Sequence, residues 1–375
     1  MKFVVSSTEL LARLLSVSRV ISSKNTIPIL DNFLFVLKEG YLSITASDLE
    51  TSLKAGMTIE NVIEDGEITI PARLLVDSLK EFPEQPLEFK TNDTSSLIEI
   101  TWANGNSKLP CTLADDYPTI AELSEESTEI SIPSSALLEG INRTLYATAE
   151  EELRPVMNGV FFDIGTDETT LVASDAHKLV CYTRHDIMSV QKSSFILPKK
   201  PASILKNILS KIDQEVKMRF DIKNAYFEFE SFVLVCRLVE GNYPAYRSVI
   251  PKNNQNKLVI NRQDFLNSTK RVAVCSNQAS SQVKLKLSYN QLVISAQDLD
   301  FSISANERLS CQYEGDSMEI GFKSTFLIEI LNNLPYTDIS LELADPTRAA
   351  LILPNSQTDP NEDILALIMP MMVSA

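Results

Sequence analysis

The chain contains two histidines, and the first, His177, stands two residues after Asp175 in the run LVASDAHKLVCYTR, residues 171–184. An aspartate that orients an imidazole can form an acid–base couple near neutral pH, so a hydrolase acting through Asp175 and His177 is one reading of the sequence. The other parts of such a site are missing. There is no Gly-x-Ser-x-Gly turn for a nucleophile, no phosphate-cradling loop in a chain with only 10 glycines, and no Cys/His cluster with metal-ligand spacing. The five cysteines, Cys111, Cys181, Cys236, Cys275 and Cys311, are odd in number and far apart, with mostly apolar or strand-forming neighbours. They read as buried free thiols. Neither a metal nor any other cofactor is expected.

What the Asp/His pair means depends on the elements that hold it, and the chain repeats those elements. LSITASDLETSL (Leu42 to Leu53), TLVASDAHKLVC (Thr170 to Cys181) and LVISAQDLDFSI (Leu292 to Ile303) align with one another. Asp175 has counterparts in Asp48 and Asp298, whereas the slot of His177 holds Glu50 and Asp300. An aspartate that recurs without a recurring base or nucleophile reads as a turn or capping residue. His177 belongs to the middle copy alone, and its role must be particular to that copy.

Two further series recur with the same spacing. KFVVSSTELLARLLSVSRVI, EISIPSSALLEGINRTLYAT and KLVINRQDFLNSTKRVAVCS each read as apolar strand, polar capping turn and amphipathic helix, and so do GEITIPARLLVDSLKEFP, SSFILPKKPASILKNILS and MEIGFKSTFLIEILNNLP. The spacing of about 125 residues matches a common domain size and gives three domains, 1–125, 126–254 and 255–375, with polar joints between them. Each is a doubled unit of helix followed by alternating strands. The fold class is α+β with antiparallel sheets, because six helices are too few to cross over between every pair of strands.

The composition, 44% hydrophobic and 22% charged, is that of a globular protein, and no segment approaches the length of a spanning helix. The first residues, MKFVVSSTELLARLL, are interrupted by Glu9 and Arg13 and do not read as a signal peptide, so a cytoplasmic location is expected. The net charge of −16 argues against a nucleic-acid partner only if it is evenly spread. It is not: windows 8–24, 73–81, 135–148, 199–212, 262–275 and 323–333 carry 14 Lys or Arg against 6 Asp or Glu, leaving −24 on the rest. Such helices suit unselective phosphate contacts, and their few aromatics, Tyr146, Phe265 and Phe326, disfavour base stacking. Solvated helix faces also carry Lys and Arg without any partner.

Eight short segments then carry a family likeness in order along the whole chain: MKFVV, TIPILDNFLF, ITIPARLL, LRPVMNGVFFD, ASDAHKL, LVEGNYPAYRSVIPK, MEIGF and IMPMM. Together they resemble the bacterial DNA polymerase III beta subunit, the sliding clamp. The resemblance implies three clamp-type domains per chain and a head-to-tail homodimer closing a ring, with helices lining the hole. It implies a processivity factor without catalytic activity, which encircles duplex DNA of any sequence. Its other partners would be the replicative polymerase subunit, the clamp loader and repair proteins, held through short peptide motifs, with no membrane involved. By position, the DNA-facing candidates are Lys24, Arg73, Lys199 and Lys200. The peptide cleft would comprise Arg154, Met157, Ser174, Ala176, His177, Lys178, Leu179, Pro244, Val249, Leu367, Met369, Pro370 and Met371, and the subunit interface Lys108, Pro110, Val274 and Cys275. Three features depart from the family pattern: Glu150 to Glu152 before Arg154, Met372 where an arginine is common, and a first-domain segment at Lys108 to Pro110 one residue short. A repeat scaffold that binds only proteins is the remaining alternative.

Overall fold

The computed structural model describes residues 1–25, 27–92, 96–124, 126–150, 153–356 and 359–373. Each of six α-helices follows directly on a strand: α1 (Ser7–Val17), α2 (Ala72–Lys80), α3 (Ser134–Thr144), α4 (Lys199–Leu209), α5 (Arg262–Ala273) and α6 (Ser324–Asn333). The local causes are visible in α1 and α5. In α1, Ser6 accepts from the Glu9 amide as N-cap, and Leu10, Leu14 and Val17 turn one apolar stripe inward. In α5, Asn261 caps the Asp264 amide and Phe265, Leu266, Thr269 and Val272 are buried. The strands feeding them, Lys2–Ser6 and Asn256–Asn261, alternate in burial as half-buried strands must. No helix among the described residues is long and apolar enough to cross a membrane.

Among the described residues every strand pair is antiparallel, and the strands form four sheets in two compact units. The unit of residues 1–135 and 203–238 contains a five-stranded and an eight-stranded sheet. The unit of residues 136–202 and 239–375 contains a nine-stranded and a four-stranded sheet. The units do not follow the repeats, because a sheet in each runs through a joint between repeats. Thr51–Thr58 of the first repeat pairs with Phe232–Arg237 of the second, Leu53 facing Leu234. Lys178–Arg184 of the second pairs with Glu362–Ile368 of the third, Val180 facing Ala366. Both joints use the strand after the repeated aspartate and the last strand of the next repeat.

Of the cysteines, Cys111, Cys181 and Cys236 are buried free thiols, while Cys275 and Cys311 are free but only half-buried. Burial pushes the Cys181 thiol up to about 12, so it stays neutral and behaves as an apolar side chain.

Candidate functional site

The three repeated aspartates do the same work. Asp48 Oδ1 accepts from the amides of Glu50 and Thr51 at 3.1 and 2.7 Å. Asp175 Oδ1 accepts from His177 and Lys178 at 2.9 and 2.8 Å, and Asp298 Oδ1 from Asp300 and Phe301 at 2.9 and 3.3 Å. The other Asp175 oxygen lies 2.6 Å from Lys178 Nζ. The carboxylate therefore closes a turn and does not orient an imidazole. The His177 ring instead stacks on Phe326 of α6, centroids 5.7 Å apart.

The turn is held tightly around His177. Ala176 takes a left-handed conformation, φ +73°, which costs an L-residue about 1 kcal/mol, and Ser174 Oγ accepts from its amide at 3.2 Å. Lys178, only 5% exposed, lies 3.0 Å from Glu329 Oε2 and 4.4 Å from the Phe326 ring centre. Buried and engaged on three sides, it builds the wall and is not a cation displayed to a ligand.

Beyond the turn, Leu179 faces Leu367 across the strand pair, and the Met369 amide donates to the His177 carbonyl at 2.8 Å. Leu179, Leu367, Val172, Cys181, Leu351 and Tyr246 form one apolar cluster. Pro244 and Val249 flank Tyr246 on an exposed loop, whose amide of Tyr246 donates to Pro244 O at 2.6 Å. The loop is fixed by Tyr243 stacking on Phe161 and by the Tyr246 hydroxyl donating to Asp163 Oδ2 at 2.7 Å. Met157 is half-buried and Arg154 exposed at a short 3-10 turn, Pro155–Met157, beside the strand Gly159–Ile164. Met369 is exposed and Pro370 half-buried, and the Met371 amide is tied to Gly321 O. His177 and Met369, both exposed, thus stand beside the buried apolar cluster around the Leu179–Leu367 pair. A cavity of about 330 Å³ next to Tyr246 and Cys181 is lined by apolar Ile250, Leu353 and Leu365 and by charged Glu168, Arg247 and Asp363.

Among the helix cations, the structure separates those that hold the fold from those left exposed. Arg13 lies over the Phe232 ring, Arg143 donates to Asn333 O and pairs with Glu139, and Arg262 donates to Leu331 O and Tyr336 O. Arg271 is bidentate to Glu307, whose carboxyl its hydrogen bonds pull down to about 2. The count of basic residues thus overstates the charge offered to a partner. Lys24 and Arg73 are exposed, Arg73 lying 3.8 Å from Asp77. Lys199 and Lys200 open α4. Glu150 pairs with Lys199, and this hydrogen bond holds its carboxyl below the usual range; Glu151 and Glu152 lie outside the described residues.

Both ends of each of the four sheets are edge strands, and two of these carry or adjoin the residues expected at the subunit interface. The one in the first unit is Gly105–Pro110, with Lys108 and Pro110 exposed. The one in the second is Ile303–Ser310, near which Leu299, Phe301, Ile303 and Val274 are exposed and Cys275 half-buried.

Residues 1–121, 131–245 and 247–372 match, in that order, the N-terminal, central and C-terminal domains of the DNA polymerase III beta subunit. The beta sliding clamp of Pseudomonas putida is 30% identical across 99% of this chain and 100% of its own length. The chain belongs to the DNA polymerase III beta subunit family. The beta sliding clamp of Escherichia coli K12 is 28% identical over a similar span, covering 99% of this chain and 100% of the relative. A crystal structure of the Pseudomonas aeruginosa sliding clamp bound to griselimycin superposes with a TM-score of 0.94 at 28% identity, covering 100% of both chains. That of the Thermotoga maritima beta subunit gives 0.90 at 25% identity, again over 100% of both. The chain therefore has three clamp domains and the function of a sliding clamp.

For a clamp-family chain, sequence reasoning named residues of the turn and of the two strands that pair beside it, but missed the side chains packed under and beside them. Tyr243 and Tyr246 stood in the quoted NYPAYRSV, where tyrosines flanking a proline were the available signal. Phe326 and Glu329 gave none, since they reach His177 and Lys178 from another repeat.

Proposed function

We propose that two chains associate head to tail into a ring around duplex DNA and that the ring, without chemistry of its own, tethers polymerase and other DNA-processing proteins in the cytoplasm. One observation carries this. Both internal joints pair a post-aspartate strand with a terminal strand, and the post-aspartate strand of the third repeat, Ile303–Ser310, and the terminal strand of the first, Gly105–Pro110, are both edge strands. Repeating the joint register would set Ile303 opposite Ser107 of the partner subunit, with Val274, Cys275, Lys108 and Pro110 alongside. A heterologous contact of this sort closes when the rotation permits, and closure would pair both of these edge strands.

Lys24, Arg73, Lys199 and Lys200 would meet phosphates. Arg73, Lys199 and Lys200 occupy first turns of helices, where the macrodipole disfavours cations, so helix stability does not explain them. Weak phosphate contacts suit a ring that holds DNA by topology, because tight ones would oppose sliding. Loaded onto a nicked circular plasmid with its cognate loader, the protein is expected to stay bound at moderate salt and to be lost when the circle is cut; retention on the linear form would refute topological tethering.

The Leu179–Leu367 groove would take short partner peptides with apolar anchors, Met369 and Met371 adapting to them. His177→Ala removes a rim group but no strand pairing. Binding of a Leu-containing clamp-binding peptide is expected to weaken about tenfold, some 1.4 kcal/mol, with oligomeric mass unchanged. Unaltered peptide affinity in a fluorescence titration would remove His177 from the site.

A further inference from the structure

Beyond Ile368 the chain runs on into a tail that is held at two places. The Met369 amide donates to the His177 carbonyl at 2.8 Å, and two residues later the Met371 amide donates to Gly321 O at 2.8 Å. Met371 and Gly321 form an antiparallel bridge. Gly321 lies on Met318–Lys323, an edge strand of the four-stranded sheet, so the tail covers part of that edge. From the neighbouring strand Gln282–Ser288, Gln282 Nε2 donates to the Met372 carbonyl at 2.9 Å. Pro370, between the two ties, has no amide to pair, and its ring fixes φ.

A glycine weakens a strand, so its presence at 321 calls for a reason. Ile320 and Phe322 on either side are fully buried in the core, and alternation turns position 321 to the opposite face, under the tail. A Cβ there would stand 2.6 Å from Gln282 Nε2, 3.0 Å from Met371 O and 3.0 Å from Val373 Cγ2. The Gln282 side chain could swing aside, but the tail backbone could clear a β-branched side chain only by lifting. The missing side chain is what lets the tail lie down and Gln282 reach its carbonyl. Each tie is one hydrogen bond of modest net strength. Together they fix the backbone that carries Met369, Pro370 and Met371. An untethered tail would have to be ordered whenever a peptide bound, and that ordering would weaken binding.

We infer that Gly321 and Gln282 are positioning residues of the peptide groove, acting on a bound peptide through Met369, Pro370 and Met371, which they hold beside the His177 turn. The inference rests on reading the Leu179–Leu367 groove as a peptide site. Binding of a fluorescein-labelled Leu-containing peptide to the full-length protein is followed by anisotropy. Gly321→Val is expected to weaken binding about tenfold while Tm stays near that of the parent, because valine suits a strand better than glycine. Gln282→Ala, which leaves position 321 untouched, is expected to weaken it about threefold. With Met371→Pro, whose tail has already lost its amide tie, adding Gly321→Val should leave affinity where it was. Methionine-methyl NMR of the unliganded protein reports on the tail without any peptide, and the Met371 and Met372 signals should shift and sharpen in Gly321→Val. Unmoved methyl signals, or unaltered peptide affinity in Gly321→Val, would overturn the inference. So would an equal further loss in the Met371→Pro background, in favour of a general packing effect. A parent that binds no peptide while its methyl signals do respond would refute the groove reading itself, and the positioning role with it.

Discussion

Val274→Asp combined with Ile303→Asp is expected to leave a folded monomer at micromolar concentration, where light scattering of the unaltered protein gives twice the 41.8 kDa chain mass. Val274 is 78% and Ile303 42% exposed in the single chain, so neither substitution removes core packing. In the proposed dimer both are desolvated at each of two joints. Placing carboxylates there costs about 2–3 kcal/mol per joint. The two joints together amount to roughly 4–6 kcal/mol, or 10³- to 10⁴-fold in the dimer constant. An unchanged mass would mean that the edge strands are not the interface. Far-UV circular dichroism of the variant should match the parent, since Ile303–Ser310 remains paired on its inner side with Gln291–Asp298.

Lys178→Ala is expected to lower stability by about 2–3 kcal/mol, which for a unit of this size is about 5–10 °C in Tm. The side chain is 5% exposed, Asp175 is 15% exposed, and Glu329 at 46% still reaches water. Removing the ammonium leaves Asp175 desolvated without its counter-charge, while the exposure of Glu329 keeps the cost below that of a fully enclosed pair. It also removes the cation over Phe326, on which His177 stacks, so peptide affinity should fall together with Tm. Lys178→Met keeps most of the volume and separates charge from packing. Melting within a degree of the parent for both variants would show that the ion pair does not hold this wall.

Asp175 shows where the sequence was legible. Its recurrence at Asp48 and Asp298 told of a turn before any contact was known, and all three carboxylates cap two backbone amides each. The helices were legible for the same reason: a capping residue and a 3.6-residue stripe are written within a dozen positions. The helix charge was less so. Counting residues could not tell Arg271, held by Glu307, from Lys24, exposed.

The sequence by itself determined the repeat, the turns, the strand–helix order and, through resemblance, the family, because these rest on local pattern and on short motifs in register. Only the tertiary structure decided which strands join one repeat to the next, that Lys178 is buried against Glu329, and that Phe326 lies under His177. Those outcomes depend on partners distant along the chain, such as Arg143 with Asn333 or Tyr182 with Glu362. Pairing at that distance is selected by shape and burial across elements, and neither periodicity nor propensity at either residue encodes it.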